Sequence, residues 1–279
     1  MKIAVIGIGL IGGSMTLTLK EKGLVQEVIG VDTNEDHAKQ ALELQLVDCI
    51  MPLDNAVDAA DIILLATPIG AAESLLPGIL DRVQDQVVFD VGSTKNGICT
   101  AIANHPKRGR FVGTHPMWGT ENSGPSAAIR NAFAKKATVI CSKAESDLDA
   151  VSLVEKIYGL LDMHILYMDA ADHDMHVAYI SHISHITSFA LANTVLEKER
   201  EEDAIFELAS GGFESTVRLA KSNAAMWVPI FMQNRENVLD VLNEHIAQLR
   251  KFKACLEKEN YTYLQELIEK ANGIRRILK

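Results

Sequence analysis

The sequence has no long apolar run, no C-x-x-C pair and no basic tract, and each absence excludes a class of protein. Apolar runs such as residues 61–66 are too short to span a bilayer. The net charge is -10, and lysines and arginines are scattered among acids, so no basic surface is expected to meet nucleic-acid phosphates. We therefore expect neither a membrane protein nor a nucleic-acid-binding protein.

The cysteines are too widely spaced to indicate a disulfide framework or a zinc site; they are Cys49, Cys99, Cys141 and Cys255. Reduced thiols of this kind favour a cytoplasmic protein. Glycines interrupt the apolar stretch after Lys2, which argues against a signal peptide. The composition, 48% hydrophobic and 23% charged, is typical of a globular protein with a packed core.

Short β-rich runs alternate with helical stretches through residue 169. The runs are residues 2–6, 28–31, 62–66, 87–91, 111–113, 138–141 and 164–168. Uninterrupted apolar strands separated by helices predict a parallel sheet covered on both faces, which is the doubly wound α/β architecture of a Rossmann domain. After residue 169 only helical periodicity remains, over 170–198, 202–208, 223–259 and 261–278. We expect an α/β domain over residues 1–169 and an all-helical domain over residues 170–279.

Helical periodicity continues without glycine through residues 223–259, where Pro229 falls in the first turns. One helix of this length would extend roughly 50 Å, farther than a domain of about a hundred residues is wide. Such a helix would pack against a partner chain, so we expect a homodimer formed through the helical domain. The alternative is two helices broken near residues 233–237.

A glycine motif, Gly7-x-Gly9-x-x-Gly12, follows the first predicted strand directly and opens a predicted helix. Its glycines would permit a tight turn, close approach of the backbone to a pyrophosphate, and close packing of helix on strand. The free N–H groups of the helix N-terminus would hold the pyrophosphate. Cofactor contacts are therefore expected from the whole motif, that is from Gly7, Ile8, Gly9, Leu10, Ile11 and Gly12.

The acid that follows the second strand, Asp32, can accept hydrogen bonds from the adenosine ribose. It would repel the 2′-phosphate of NADP, and no arginine follows at positions 33 or 34, so NAD is favoured over NADP. Thr67, Pro68 and Gly92 lie at the carboxyl ends of other strands, where ligands bind in this architecture. Ordinary turn chemistry would also account for Pro68 and Gly92.

Four further segments contain groups suited to chemistry. They are 90–95 (Asp-Val-Gly-Ser-Thr-Lys), 113–124 (Gly-Thr-His-Pro-Met-Trp-Gly-Thr-Glu-Asn-Ser-Gly), 181–185 (Ser-His-Ile-Ser-His) and 212–218 (Gly-Phe-Glu-Ser-Thr-Val-Arg), the last followed by Ala-Met-Trp at 225–227. With the glycine motif, this ordered set closely resembles the prephenate and arogenate dehydrogenases of tyrosine biosynthesis, and its most specific part is His-Pro-Met-x-Gly-Thr-Glu. The resemblance implies NAD-dependent oxidative decarboxylation of prephenate to 4-hydroxyphenylpyruvate.

Prephenate loses hydride from the carbon that bears its ring hydroxyl and carbon dioxide from the opposite carbon, so the enzyme needs a base and a cation. The resemblance implies that His115 is the base and that Ser93 orients the hydroxyl, with NAD accepting the hydride. Alone, a histidine before proline is more often structural, and Ser93 could instead cap the following helix.

Arg218 is the candidate carboxylate clamp, because a guanidinium binds a carboxylate bidentately. Without its motif, an arginine in a helix is usually a solvated surface group. The resemblance further implies that Glu121 lies at the substrate site, that Lys95 adds positive charge near the nicotinamide, and that Trp227 contacts the site, either within the chain or across a dimer. Core packing is an equal alternative for Trp227.

Histidines cluster at His173, His176, His182 and His185, which raises the possibility of a metal site. In a regular helix His173 and His182 would face opposite sides, which argues against one shared ion. The resemblance places His182 near the nicotinamide and His185 beside the substrate side chain. A neutral His185 offers no negative charge to the ammonium group of arogenate, so prephenate is favoured.

Two departures from the family pattern are visible: Trp118 replaces a small residue, and Ser215 and Val217 replace an acid and a threonine. An ion pair between Arg218 and Glu121 is less secure for that reason. Two other functions stay open. One is a dehydrogenase of another small acid, and the other is an NAD-sensing regulator that needs no base.

Overall fold

One sheet of eight strands forms the first part of the computed structural model, which describes residues 1–199 and 203–277. Its strands within those residues are β1 (Lys2–Ile6), β2 (Glu27–Val31), β3 (Cys49–Ile50), β4 (Ile62–Leu65), β5 (Val87–Asp90), β6 (Phe111–Pro116), β7 (Ala137–Cys141) and β8 (His164–Met168). The strand order is β3-β2-β1-β4-β5-β6-β7-β8. The expected α/β fold with a Rossmann arrangement is confirmed.

The sheet is parallel except where β6 pairs antiparallel with β7, so the expectation of an all-parallel sheet is wrong at that pair. A parallel neighbour needs a crossover, usually a helix. The connection from β6 to β7 instead passes over the first helix, where Ile129 N donates to Ser14 Oγ at 2.9 Å. The chain therefore returns in the opposite direction. Strand β3, only two residues long, was too short to be predicted.

Helices cover both faces of the sheet, and a second set follows it. Within the described residues they are α1 (Leu10–Glu21), α2 (Glu35–Glu43), α3 (Leu53–Ala59), α4 (Ile69–Arg82), α5 (Asn96–Ala101), α6 (Leu148–Leu160), α7 (Ala170–Val177), α8 (Ile183–Glu199), α9 (Gly211–Val217), α10 (Ala224–Gln233), α11 (Arg235–Glu257) and α12 (Tyr261–Ala271). The predicted segment 202–208 forms the 3₁₀ turn Asp203–Leu208, and the predicted segment 261–278 ends in the 3₁₀ turn Asn272–Arg276. Positions 202 and 278 lie outside the described residues.

Two apolar layers hold the helices on the sheet. Met15 of α1 and Val154 of α6 are fully buried in the layer on one face. Leu76 of α4 is buried in the layer on the other face, together with Trp227 and Ile230 of α10. Helix α10 therefore anchors the helical region to the sheet region. No helix in the described ranges is long and apolar enough to cross a membrane.

The single long helix expected over residues 223–259 is wrong, and the alternative of two helices is what the structure shows. Helix α10 ends at Gln233 and α11 begins at Arg235, with Asn234 between them at φ -101° and ψ 27°. The side chain of Asn234 is buried and bonded to other elements, which sets the direction of the chain at this point. Helix length consequently no longer supports a dimer.

Helices α7 and α8 run on from one another through a π turn at Ala178–His182. A π turn accommodates one extra residue, which rotates the residues after it back by roughly 100°. His182 therefore stands only about a quarter turn from His173 around the axis, and the expectation that the two face opposite sides is wrong. The π turn brings both imidazoles toward the same part of the molecule.

We expect Gly12→Ala to lower the free energy of unfolding by about 1–3 kcal/mol, because an added Cβ would overpack the contact between helix and strand. That Cβ would lie 2.6 Å from the Gly7 carbonyl oxygen and 2.9 Å from Val5 Cγ1. In exposed Gly78 of α4 an added Cβ meets nothing within 4 Å, so Gly78→Ala should gain about 0.5–1 kcal/mol. Urea denaturation measures both, and equal changes in the two variants would contradict the packing assigned to Gly12.

Candidate active site

The glycine motif forms the turn between β1 and α1. Gly7 has φ +92°, and a Cβ there would lie 2.7 Å from the Ala66 carbonyl oxygen, so only glycine fits without strain. Gly12 is closed in the same way by Gly7 and Val5. A Cβ on Gly9 would meet nothing within 4 Å, so the backbone at Gly9 faces open space. The loop has the shape that close approach of a pyrophosphate requires.

The carboxylate of Asp32 lies at the same edge of the sheet. Its Oδ2 accepts from Ile8 N at 3.1 Å and its Oδ1 accepts from Asn34 N at 2.9 Å, so main-chain donors fix the half-buried side chain. Thr67 Oγ1, at the end of the neighbouring strand, is buried and has no hydrogen-bond partner among the residues that the structure describes. An unpartnered hydroxyl beside an open glycine loop and a fixed acid fits a bound dinucleotide. The remaining motif residues Leu10 and Ile11, and also Pro68 and Gly92, lie at this same edge.

Lys95 was expected to add positive charge near the nicotinamide, but its ammonium group is enclosed within the protein. Its side chain is fully buried, and its Nζ pairs with Asp90 Oδ2, which is also fully buried. Asp90 further accepts from Thr114 N at 3.0 Å and from Gly92 N at 2.9 Å. Enclosed and paired with Asp90, Lys95 is not exposed to contact a ligand directly, and Asp90 joins the ends of β5 and β6 through Thr114 N.

His115 lies near the end of β6 and forms one end of a buried chain of hydrogen bonds. Its Nδ1 is 2.9 Å from His173 Nε2, and His173 Nδ1 is 2.8 Å from Asp174 Oδ1. His173 and Asp174 are buried on α7, so the helical region supplies the support for a residue of the sheet. The structure thus gives His115 two partners that the sequence did not assign to it.

The protons of this chain follow from its carboxylate end. Asp174 accepts from Lys95 N at 2.7 Å and from Asn96 N at 2.9 Å, and a carboxylate can only accept. A neutral His173 therefore donates Nδ1–H to Asp174 and accepts at Nε2. His115 in turn donates Nδ1–H to His173, which leaves His115 Nε2 unprotonated and able to take a proton.

Burial lowers the pKa of His115 well below its ordinary value of 6.5, and unfavourable interactions of a protonated His115 with the His173 ring, with Lys95 and with the His182 ring lower this pKa further. The imidazole is therefore neutral at pH 7. A neutral imidazole with a free Nε2 is the state that a general base needs.

Ser93 lies half-buried in the loop between β5 and α5, and its hydroxyl makes no hydrogen bond within the described residues. It does not cap α5. The main-chain N–H groups at the start of α5 are taken by Asp174 of the helical region instead. The Ser93 hydroxyl consequently stays available to a ligand.

A second group of rings lies on α10 and on the continuous α7–α8 segment. His185 stacks on Trp227 with ring centroids 3.5 Å apart, while His182 stands edge-on to Trp227 at 5.9 Å and to Phe231 at 6.2 Å. Trp227 is therefore both a core residue and a contact of the candidate site, within one chain. Its indole Nε1 is buried, with no hydrogen-bond partner in the described ranges of the chain.

Both histidines of this group are held neutral. Burial lowers the pKa of His182 to about 4, although the Asp174 charge raises it in part. Burial also lowers the pKa of His185, and the positive charge of nearby Arg218 lowers it further. Arg218 begins the 3₁₀ turn Arg218–Lys221, which packs against α8, the helix that carries His185.

Glu121 is less closely tied to the site. Glu121 and Arg218 are both exposed, and no ion pair joins them in the part of the chain that the structure describes. Ser215 is exposed as well and bonds only to Gly212 O at 3.0 Å. Trp118 packs edge-on against Phe133 at 5.0 Å, so this departure from the family pattern fills a core contact.

A continuous series of contacts joins most of the expected site residues. It passes from His115 through His173 and Asp174 to Asn234, whose Nδ2 is 2.7 Å from Asp174 O and 3.2 Å from His182 Nδ1, and then to the ring group. Sequence reasoning missed His173, Asp174 and Asn234 as site residues. The cluster around His173 was the available signal. Among the described residues no group of histidine, cysteine, aspartate and glutamate could hold a metal ion.

Two family models match the chain. One, described as prephenate dehydrogenase, nucleotide-binding domain, matches residues 15–167, and the other, described as prephenate dehydrogenase, dimerization domain, matches residues 169–270.

Relatives of assigned function match over nearly the whole chain. The prephenate dehydrogenase of Bacillus subtilis is 29% identical over 277 residues, which cover 98% of this chain and 75% of the relative. The cyclohexadienyl dehydrogenase of Zymomonas mobilis is 28% identical over 283 residues, which cover 99% and 96%.

Solved structures agree with this assignment. The prephenate dehydrogenase of A. aeolicus in complex with hydroxyphenyl propionate and NAD+ matches with TM-score 0.92 and 26% identity, over 100% of this chain and 98% of that one. The arogenate dehydrogenase of Synechocystis matches with TM-score 0.80 and 28% identity over 100% of both. Since the two family models together span most of its length, the chain belongs to the prephenate dehydrogenase family.

Proposed function

We propose that this protein is an NAD-dependent prephenate dehydrogenase, which converts prephenate to 4-hydroxyphenylpyruvate and carbon dioxide with formation of NADH. The observation that carries the proposal is the chain His115–His173–Asp174, which leaves His115 neutral with Nε2 unprotonated. A regulator that only senses NAD would not need such a base. The A. aeolicus relative, which binds hydroxyphenyl propionate and NAD+, supports the same substrate chemistry.

In this mechanism His115 Nε2 accepts the proton of the ring hydroxyl while the Ser93 hydroxyl orients it. As the proton leaves, His115 becomes an imidazolium, whose Nδ1–H bond to His173 is backed by the Asp174 carboxylate. NAD, when bound, supplies the acceptor for the hydride. Loss of carbon dioxide from the opposite ring carbon makes the ring aromatic and drives the reaction.

The residues assigned to NAD are the glycine motif, Asp32 with its fixed carboxylate, and Thr67 with its unpartnered hydroxyl. The carboxylate of Asp32 disfavours a 2′-phosphate, so NAD is preferred to NADP. We assign cofactor binding to residues 1–169 and substrate and dimer contacts to residues 170–279. All four cysteines are free, which fits the reducing cytoplasm.

Arg218 is assigned to the carboxylate that leaves, with Glu121 at the edge of the site. Prephenate is preferred to arogenate because His185, held neutral, gives no countercharge to an ammonium group. Arogenate is the second candidate substrate, because the similar Synechocystis protein is an arogenate dehydrogenase.

A homodimer through the helical region completes the proposal. Large apolar side chains are exposed along α10, α11 and α12 of the single chain, and contiguous patches of this kind mark contact surfaces. They include Met226, Val228, Met232, Leu249, Leu256 and Ile268. The family model matched by this region is described as a dimerization domain.

The proposed activity is tested by NADH absorbance with prephenate and arogenate side by side. We expect higher kcat/KM with prephenate. His115→Asn, the matched variant, should lower kcat by about 10²–10⁴-fold with little change in KM, since it removes the general base. Preference for arogenate would reverse the substrate assignment, and near-normal turnover of the variant would show that His115 is not the base.

The acidic limb of the kcat profile should lie below pH 6.5. The pKa of His115 is lowered, so the base stays unprotonated, and active, as the pH falls through the ordinary histidine value. Kinetics from pH 5 to 9 provide the measurement, and half-maximal kcat above pH 6.5 would contradict the assignment.

Asp174→Asn should lower kcat by on the order of 10²–10⁴-fold, since an amide also permits the wrong tautomer, as in serine proteases. Steady-state kinetics measure this loss, with circular dichroism to check folding.

Arg218→Gln should raise the KM for prephenate by about 10–100-fold and change kcat less, because it removes a charge-assisted anchor present before reaction. Lys221→Gln, at the other end of the same 3₁₀ turn, removes an exposed positive charge as a control. An unchanged KM in the Arg218 variant would mean that another cation holds the carboxylate.

A further inference from the structure

Two amide side chains, those of Gln233 and Asn234, lie at the break between α10 and α11 and bind residues outside these two helices. Gln233 Oε1 accepts from Thr94 Oγ1 at 2.8 Å, and Gln233 Nε2 donates to Glu73 Oε2 at 2.8 Å. Asn234 points the other way, into the buried junction between the sheet and helical regions, and is 4% exposed. The break therefore places one buried amide directly beside the candidate site.

Every polar atom of the Asn234 side chain has a defined partner. Its Nδ2 donates to the Asp174 carbonyl oxygen at 2.7 Å and lies 3.2 Å from His182 Nδ1. Its Oδ1 accepts from Asn237 Nδ2 at 2.7 Å. An amide nitrogen carries two hydrogens, and both are used here. The reversed orientation would set Oδ1 against the Asp174 carbonyl, two acceptors facing each other, so the amide has one favourable orientation.

This orientation determines where His182 carries its proton. Because Asn234 Nδ2 is a donor, His182 Nδ1 must present a lone pair, and a neutral imidazole then has its hydrogen on Nε2. The ring is almost fully buried against Trp227 and Phe231, and charge is disfavoured in such surroundings. His182 Nε2 makes no hydrogen bond within residues 1–199 and 203–277.

We propose that Asn234 is a positioning residue that fixes His182 as the neutral Nε2–H tautomer, so that His182 acts as a hydrogen-bond donor to an oxygen of a molecule bound at the candidate active site. The functional part of this inference rests on the proposed dehydrogenase activity. The assignment of the tautomer does not, because it follows from the unliganded protein alone.

The Asn234 amide also links the part of the site around His182 to the part around His115. Asn234 bonds the main chain of Asp174, whose carboxylate directs His173 and His115. A change at Asn234 therefore acts on His182 directly and on His115 indirectly, through the Asp174 main chain and through the charge of His182. The two effects are separable, since the first changes a tautomer and the second changes the rate of proton transfer.

Nuclear magnetic resonance of ¹⁵N-histidine-labelled, full-length protein at pH 7 tests the tautomer without any ligand. His182 is identified by the signal that disappears in His182→Gln. We expect an Nε2-protonated ring in the unmodified chain and an Nδ1-protonated or charged ring in Asn234→Asp, where a carboxylate replaces the donor. Asn234→Ala should leave a mixture of tautomers.

Asn243→Asp is the matched control, since Asn243 is exposed on α11, the helix that Asn234 precedes, and the substitution adds the same charge. It should leave the His182 signal unchanged. An Nδ1-protonated His182 in the unmodified chain would overturn the proposal. So would an Nε2-protonated ring that persists in both Asn234→Ala and Asn234→Asp.

Steady-state kinetics with NAD and prephenate test the consequence. Loss of one well-placed donor should raise the KM for NAD or prephenate by on the order of tenfold in Asn234→Asp, and Asn243→Asp should match the unmodified chain. Unchanged kinetic constants in Asn234→Asp would overturn the role of His182 as donor. If no ring substrate yields NADH in the unmodified chain, the proposed function fails while the tautomer result stands by itself.

Discussion

The buried carboxylate of Asp174 is the group on which the arrangement of the site depends. It belongs to the helical region, yet it accepts the first main-chain hydrogens of α5 in the sheet region and the Nδ1 hydrogen of His173. An ionised carboxylate taken out of water costs several kcal/mol unless donors surround it. Three donors surround this one, so a single charge begins a helix, joins two regions and directs His115.

A second buried carboxylate, Asp90, is paired with a lysine and affects His115 in another way. Asp90 and Lys95 are fully enclosed and join the ends of neighbouring strands, and the Lys95 charge reaches His115 through space. That charge disfavours a protonated His115, whereas His173 with Asp174 determines which nitrogen is free. The protonation state of His115 and the choice of its free nitrogen are therefore controlled by different residues.

Sequence patterns predicted the features that depend on neighbouring residues. Strands buried on both faces must be apolar throughout, and the turn at Gly7 needs a residue that tolerates positive φ, so both are visible locally. The break at Asn234 was hidden because apolar residues such as Val238 and Val241 continue the periodicity beyond it. Its cause is distant, since Asn234 bonds residues 60 and 52 positions away. The link from His115 to His173 spans 58 positions and was missed for the same reason.

The shared use of Asp174 links the docking of the two regions thermodynamically to the protonation pattern of the site. If the regions separate, the start of α5 loses its acceptor and His115 loses its oriented support in the same event. Any ligand that favours the docked form must then favour the oriented His115 ring by an equal free energy. In a separated form His115 would lack this support, so its hydrogen-bonded orientation belongs to the docked form alone.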